Sequence, residues 1–168
     1  MIEVLRLGHR ILRDKRTSTH VALTARAFGG SKIYYSGQND KDMEISINKV
    51  VEKFGGPFEV EHVKNYISLI KQKKKDGFKV CHMTMYGENF LEHKNELKGN
   101  LLVIVGGEKV EGAIYDLSDF NLSVSNEPIS EVSALGIFLY DINGFAELKN
   151  GRLKVIPQKK GKLLKELN

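Results

Sequence analysis

An uninterrupted apolar strand that ends in two glycines constrains the fold more than any other feature of this sequence. Residues 101–105 are apolar at every position, and Gly106 and Gly107 follow at once. A strand that is apolar throughout is typical of a parallel sheet, because helices cover both faces of such sheets. The run therefore predicts a buried strand inside an α/β fold.

Short apolar segments alternate with segments of helical periodicity along the rest of the chain. The predicted strands are 4–7, 32–35, 58–61, 78–85, 101–105 and 122–124, and the predicted helices are 17–28, 43–54, 65–75, 92–98 and 130–142. Strands that alternate with helices imply an α/β fold around a mostly parallel sheet. The hydroxyls of residues 17–19 suit the N-cap of the first helix, and Ser130 suits that of the last.

The last part of the chain predicts an addition to this sheet. Asn150 and Gly151 form a dipeptide that favours a hairpin turn, which we place within residues 146–157. Glycine and proline clusters elsewhere mark turns rather than a linker. We therefore expect a single domain over residues 1–168, with a hairpin and a basic tail at about 145–168.

Composition excludes several classes of protein. With 41% hydrophobic and 28% charged residues, the chain has an ordinary globular composition. No apolar run approaches the ~20 residues that span a bilayer, and the N-terminus begins as a strand rather than a signal peptide, so we expect a cytoplasmic protein. The single cysteine, Cys81, excludes an intrachain disulfide and suits an inert core thiol. The histidines lack zinc-like spacing, so we expect no metal.

Positive charge is concentrated at the two ends of the chain. Residues 1–26 carry six Arg or Lys and two acidic residues, and residues 152–168 carry six and one, within a formal net charge of +5. Basic clusters attract phosphate backbones, which points to a nucleic acid. The alternative is a solvated surface, which is what charge runs usually form.

Two polar loops are candidates for a ligand site. The Gly106–Gly107 turn allows close approach of backbone to a ligand, but it matches neither the dinucleotide nor the phosphate-loop pattern, and it also fits a plain turn. Residues 125–131 join a strand to an apolar helix. They fit simple capping of that helix, or a polar wall that faces the glycines.

A third candidate is the basic N-terminal region. Arg and His residues are frequent between residues 6 and 20, beside the first strand. Arg26 stands apart, because its neighbours in a predicted helix are apolar. Its guanidinium either extends to the surface or is held for a task.

The order of these features resembles that of the archaeal tRNA (cytidine-56) ribose 2′-O-methyltransferases, which belong to the SPOUT class. The resemblance covers residues 1 to about 160. Its motifs are Leu5-Arg6-Leu7-Gly8-His9-Arg10, Arg13-Asp14-Lys15-Arg16, residues 19–29, Gly55-Gly56-Pro57-Phe58, His82-Met83-Thr84-Met85-Tyr86-Gly87, Val105-Gly106-Gly107-Glu108-Lys109-Val110 and residues 126–132.

The resemblance implies a SPOUT fold, in which the C-terminal part of a parallel sheet is threaded as a trefoil knot. It implies a homodimer with its site at the subunit interface, S-adenosyl-L-methionine as cofactor and tRNA as substrate. The residues expected to hold the cofactor are Met83, Thr84, Gly106, Gly107, Glu108, Lys109, Val110, Val124, Ser125, Asn126, Glu127, Pro128, Ile129, Ser130 and Glu131.

The resemblance also suggests catalytic residues. Ribose methyltransferases of this class have an early Asn followed six residues later by an Arg, and His20 and Arg26 have that spacing here. Arg26 is therefore expected to orient the 2′-hydroxyl and stabilise developing alkoxide charge, since a guanidinium is a poor base. Glu108 is expected to position the substrate or Arg26, and tRNA contacts are expected from Arg10, Arg13 and Arg16.

Two other functions agree with the residues alone. The basic ends suit a non-catalytic RNA-binding protein, which would bind tRNA in a salt-sensitive manner and would not bind the cofactor. The glycine turn suits an α/β ligand-binding domain that does not bind nucleic acid. Binding of tRNA at low salt and calorimetric titration with S-adenosyl-L-methionine separate the three.

Overall fold

Alternating strands and helices make up the computed structural model, which describes residues 1–107 and 109–167. In chain order they are β1 (Ile2–His9), α1 (Ile11–Ala27), β2 (Gly30–Gly37), α2 (Lys41–Phe54), β3 (Glu59–His62), α3 (Tyr66–Lys75), β4 (Lys79–Asn89), β5 (Leu101–Val105), α4 (Gly112–Leu117), β6 (Phe120–Ser123), α5 (Glu131–Asn143), β7 (Leu153–Ile156) and β8 (Leu163–Glu166). A short 3₁₀ helix, Phe90–His93, follows β4.

Six of the strands form one sheet in the order β3-β2-β1-β5-β4-β6, and every pair in it is parallel. The apolar strand β5 lies in the interior between β1 and β4, and Arg6 of β1 pairs with Val105 of β5. The prediction of an α/β fold with a mostly parallel sheet is confirmed.

Side chains alternate between the two faces of the sheet along each strand, and both faces carry apolar residues. Helices cover both faces. One face carries α1, α2 and α5, whose apolar residues pack on Val4, Val103 and Val105. The other face carries α3 and α4, which bring Ile70 and Ile114 against Leu102, Ile104 and their neighbours. Every side chain of β5 is therefore buried.

The first helix begins at Ile11, so the prediction of a start at residues 17–19 is wrong. The N-cap residue Arg10 makes no side-chain capping bond. Gln38 Oε1 instead accepts a hydrogen bond from the Ile11 N–H at 2.7 Å, and the Asp14 carboxylate accepts one from the Arg10 N–H. Thr19 Oγ1 donates to Lys15 O at 2.8 Å inside the helix, and Ser18 Oγ lies 2.9 Å from His9 Nδ1. Hydroxyl residues form such bonds in helices as readily as they cap them.

Two further boundaries differ from the sequence prediction. Strand β4 continues to Asn89 instead of ending at Met85, with a change of register against β6 between Met83 and Glu88. The predicted helix at 92–98 is the shorter 3₁₀ turn, and α4 was not predicted. These elements are too short for their apolar residues to show a helical period in the sequence.

The predicted position of the C-terminal hairpin is also wrong, although a hairpin exists. Strands β7 and β8 pair in antiparallel fashion, so the connection between them follows Ile156. Asn150, with a φ of 63°, and Gly151 instead form a turn beside Lys149, which pairs with the backbone of Gly56. The basic residues expected in a tail lie within and between β7 and β8.

The described parts of the chain lack two kinds of feature, a membrane-spanning helix and a cluster of metal ligands. No helix in residues 1–107 and 109–167 has the length and apolarity that crossing a bilayer requires. Across the same residues, His, Cys, Asp and Glu form no cluster of three or more suited to a metal ion.

Candidate functional site

A cavity of about 510 Å³ opens at the carboxyl ends of β4, β5 and β6. This is the edge at which open α/β sheets bind their ligands. Its described lining is His82, Met83, Thr84, Met85, Tyr86, Val105, Gly106, Gly107, Lys109, Val110, Tyr115, Leu122, Val124, Ser125, Glu127, Ile129, Glu131 and Ala134. The structure therefore brings together three segments that are well separated in sequence.

The glycine turn forms one wall of the cavity. A Cβ atom built on Gly106 would overlap the Cγ2 methyl of Val110, so the Val110 side chain would have to move. A Cβ on Gly107 would meet the Arg6 guanidinium at 3.4 Å, an ordinary contact. The two glycines therefore leave backbone groups open to a ligand, and Gly106 is the more strictly required of them.

Residues 124–131 form the opposite wall. Asn126 is held by β4, because its Nδ2 donates to Met85 O at 2.7 Å and to Gly87 O at 3.0 Å. Ser130 caps α5 by accepting a hydrogen bond from the Val132 N–H at 3.2 Å. Asn126, Pro128 and Ser130 are absent from the described lining. Asn126 and Ser130 fix the loop, and the cavity is lined by Val124, Ser125, Glu127, Ile129 and Glu131.

Arg6 connects the two walls from behind. Its side chain is 2% exposed, one NH group lies 3.1 Å from a Glu131 carboxylate oxygen, and the other donates to Leu7 O at 2.7 Å. Burial lowers the pKa of Arg6, opposed by the charge of Glu131. Sequence reasoning counted Arg6 only as part of the basic N-terminal region. A charged residue inside an apolar strand was the signal that could have singled it out.

His82 and Tyr115 also line the cavity and were missed. His82 Nδ1 lies 2.9 Å from Asn121 Oδ1, and Asn121 Nδ2 donates to Tyr115 O. Since the Asn121 oxygen is an acceptor, Nδ1 carries the proton. Burial lowers the pKa of His82, which favours a neutral ring. Tyr115 Oη lies 3.2 Å from Thr84 Oγ1, so α4 contributes to the same wall.

A second cavity, of about 360 Å³, adjoins the first and shares Gly107, Lys109 and Val110 with it. It extends towards the carboxyl ends of β1 and β2. Both volumes lie within the range of about 300–1,000 Å³ that is usual for small-molecule sites. The carboxyl edge of the sheet therefore offers two adjacent compartments.

Arg26 lies away from both cavities within one chain. Helix α1 begins at the carboxyl edge, and 15 residues at about 1.5 Å each carry it roughly 22 Å back to Arg26, at the amino edge. There the Arg26 Nε and NH2 groups donate to Gly55 O at 2.8 and 2.6 Å. Burial lowers the pKa of Arg26. Its contacts are those of a residue that joins α1 to the end of α2.

The other predicted catalytic and substrate residues have different settings. His20 is exposed on the surface of α1, and Glu108 lies outside the described residues. Arg10 immediately precedes α1, and Arg13 and Arg16 lie in its first turns. All three are exposed, at the same edge as the cavities. The Asp14 carboxylate holds the Arg10 guanidinium at 2.7 and 3.2 Å. The catalytic and substrate roles of these residues stay predictions.

Comparison with known proteins identifies one family whose sequences are similar to this chain. Residues 54–165 match the family described as tRNA ribose 2′-O-methyltransferase, aTrm56. The tRNA (cytidine(56)-2′-O)-methyltransferase of Methanosphaera stadtmanae is 46% identical, with 96% of this chain and 97% of that protein covered. The protein of the same name from Thermococcus kodakarensis is 44% identical, with coverages of 99% and 98%.

Solved structures show the same fold at much lower identity. The TrmH/SpoU tRNA modifying enzyme of A. aeolicus is 20% identical, with a TM-score of 0.65 over 84% of this chain and 73% of that one. The SpoU methyltransferase AviRb from Streptomyces viridochromogenes, in complex with AdoMet, is 12% identical, with a TM-score of 0.60 over 84% and 56%. The sheet and its helices are thus shared with SpoU-type methyltransferases, and the chain belongs to the tRNA ribose 2′-O-methyltransferase family aTrm56.

Proposed function

We propose that this protein transfers a methyl group from S-adenosyl-L-methionine to the ribose 2′-hydroxyl of cytidine 56 in tRNA. The observation that carries the proposal is a glycine-walled cavity at the carboxyl edge of a SpoU-type sheet. Relatives at 44–46% identity over nearly the whole chain carry that activity in their names. We infer a cytoplasmic location, because tRNA is the substrate of the proposed reaction.

The larger cavity fits the cofactor. Gly106 and Gly107 line this cavity and carry no side chain, so that backbone N–H and C=O groups of the turn are available to a ribose or adenine. The opposite wall supplies both apolar and polar groups, among them Val124, Ser125 and Glu127. When bound, the cofactor supplies an electrophilic methyl group on a positively charged sulfur.

The chain contributes mainly positioning. An oxygen that attacks a methyl group in line must be held within about 3–3.5 Å of it, which the fixed walls of the two cavities favour. The basic residues Arg10, Arg13 and Arg16 at the start of α1 lie at this edge and would hold the phosphate backbone. A guanidinium stays protonated, so it orients the hydroxyl or stabilises its developing charge rather than taking its proton.

The proposed fold includes the trefoil knot and a single domain over residues 1–168, with the β7–β8 hairpin as its C-terminal addition. In the sheet, β4 lies between β5 and β6, and α5 returns across it to pack on α1. The connection before α5 is bonded to the end of β4 through Asn126. Mechanical extension from both ends tests the knot: a tightened knot leaves the chain shorter than about 3.3–3.6 Å per residue, and full extension contradicts it.

The proposed assembly is a homodimer through α5 and the residues beside it. Ile137, Tyr140 and Phe145 are 49%, 53% and 78% exposed, an apolar surface that burial in an interface would stabilise. Sedimentation equilibrium should give twice the 18.9 kDa chain mass. Ile137→Lys should shift it to the monomer, whereas Ile45→Lys, at an equally exposed position on α2, should not. A monomeric wild type contradicts the assembly.

Methyl transfer itself is tested with labelled S-adenosyl-L-methionine and an unmodified tRNA transcript. We expect one methyl group per tRNA, mapped by mass spectrometry to the ribose of cytidine 56. A transcript with 2′-deoxycytidine at that position is the matched control and should accept none. Transfer to the deoxy transcript contradicts the ribose target. Salt-sensitive binding of tRNA without cofactor binding supports instead the non-catalytic RNA-binding protein that the basic chain ends suit.

A further inference from the structure

The second cavity adjoins the larger cavity at the carboxyl edge of the sheet. It is bounded by the ends of β1 and β2, by the first residue of α3, and by the turn after β5. Through Gly107, Lys109 and Val110 it shares a wall with the larger cavity. A group bound in one compartment is therefore separated from a group in the other only by this turn.

One wall of the second cavity is aromatic. Tyr66 begins α3 and is half-buried, with its ring packed against the apolar cluster around Ile70. Burial and a hydrogen bond to Glu111 raise the pKa of Tyr66, so its hydroxyl stays protonated. A fixed, neutral ring at the side of a cavity is a surface on which a nucleobase stacks.

The floor of the second cavity is backbone rather than side chain. Gly8 has a φ of 69°, and no heavy atom lies within 4 Å of a Cβ built on it. The Gly8 N–H donates to Ser36 Oγ at 3.0 Å, which fixes this bend at the end of β1. The space beside Gly8 is therefore open, while the Gly8 backbone is held in place, and both conditions suit a flat ligand.

Charge at the rim suits a nucleotide. Arg10, oriented by Asp14, and Lys109 both line the cavity, and Glu111 is the acidic residue among its described lining. The cations are placed for a backbone phosphate, whereas a carboxylate can accept a hydrogen bond from an exocyclic amino group. An aromatic wall, an open floor and rim cations together describe a site for a single unstacked nucleotide.

We propose that the second cavity receives the target nucleotide, with its base stacked on Tyr66 and its ribose facing the shared turn. This inference rests on the proposed function, because it assigns the substrate compartment of that reaction. Tyr66 then acts on substrate binding and not on cofactor binding. It sets the position of the 2′-oxygen through the base to which the ribose is attached.

Substitutions at Tyr66 in the full chain test this inference. Tyr66→Leu keeps an apolar side chain but removes the ring, so we expect kcat/KM for tRNA to fall on the order of ten- to a hundredfold. Tyr66→Phe keeps the ring and should recover most of that loss. The Kd for S-adenosyl-L-methionine, from calorimetry, should stay within about twofold of the wild-type value, and the melting temperature shows that each variant is folded.

A binding readout separates this inference from the proposed function. A tRNA with fluorescent pyrrolocytidine at position 56 should be quenched on binding to wild type and to Tyr66→Phe, but not to Tyr66→Leu. Methyl transfer by the wild type with equal kinetics and quenching in Tyr66→Leu overturns the inference alone. Absence of transfer by the folded wild type overturns the proposed function, and the quenching still decides whether the base stacks on Tyr66.

Discussion

Arg6 and Glu131 form an ion pair of 3.1 Å that joins the end of β1 to the first residue of α5. Arg6 is buried beside Gly107, whereas Glu131 is partly exposed and lines the larger cavity. The pair thus fixes the distance between the glycine turn and the loop opposite. Arg6 acts on both walls without lining the cavity itself.

Removing Glu131 should weaken cofactor binding more than removing the whole pair. Glu131→Leu leaves a buried guanidinium without its carboxylate, which costs about 1–3 kcal/mol after allowance for the partial exposure of Glu131. We expect the Kd for S-adenosyl-L-methionine to rise about tenfold and the melting temperature to fall. Adding Arg6→Met should restore part of both losses. Calorimetry measures the cycle, and strictly additive effects would contradict the coupling.

The two glycines of the turn should differ in their tolerance of a methyl group. Gly106→Ala forces a contact with the Val110 side chain, so we expect at least a tenfold loss of cofactor affinity. Gly107→Ala meets Arg6 at an ordinary distance and should change affinity by less than about threefold. A bulky residue, as in Gly107→Leu, should block the approach of the ligand. Wild-type affinity in both Gly106→Ala and Gly107→Leu would remove this turn from the cofactor site.

Arg26→Ala should destabilise the protein. The substitution leaves the Gly55 carbonyl without two charge-assisted donors, a loss of about 1.5–3 kcal/mol that lowers the melting temperature by several degrees. Arg16→Ala, at an exposed position of the same helix, is the matched control for stability. At temperatures where the variant is folded, we expect cofactor affinity to be kept and most turnover to be lost, because Arg26 is proposed to act on the 2′-hydroxyl across the subunit interface. Turnover at the wild-type rate by the folded variant would contradict that role.

Stability should decrease as the pH falls below about 6.5. Burial lowers the pKa of both His9 and His82, the former opposed by Asp40. Between each lowered pKa and the ordinary value, the unfolded chain binds a proton that the folded chain does not, so acid favours unfolding. His93, whose pKa is raised mainly by hydrogen bonding to Glu96, acts in the opposite direction, but it is one half-buried group against two fully buried ones. Calorimetry at about pH 7.5 and 5.5 should give a lower melting temperature in acid, and an equal or higher one would contradict this.

Sequence patterns predicted the parts of the fold that depend on near neighbours. The apolar residues 101–105 and the Ser130 cap are local signals, and both were found where expected. The start of α1 was missed because its first N–H is bonded from outside the helix, where Gln38 Oε1 accepts the hydrogen bond of the Ile11 N–H. The Asn150-Gly151 dipeptide does form a turn, but its partner is the backbone around Gly56, far away in sequence.

In the candidate site too, local sequence patterns predicted some features, whereas others depend on contacts between residues that are distant in sequence. Arg26 attracts attention in sequence because its helical neighbours are apolar, yet its partner is a carbonyl at the far edge of the sheet. Arg6 attracts less, although Glu131 and the Leu7 carbonyl hold it behind the larger cavity. Neither contact affects the local periodicity of the sequence, because each depends on which strands become neighbours in the sheet. The loops of the site were identified only because they occur in the order of a known family.

The bonds from Asn126 to the carbonyls of Met85 and Gly87 have a consequence for synthesis of the protein on the ribosome. The glycine turn and the end of β4 are made first, but the opposite wall arrives with residues 124–131, in the last third of the chain. A nascent polypeptide that ends before this loop therefore has no complete cofactor site. The cofactor, if it stabilises folding, acts only after most of the protein has left the ribosome.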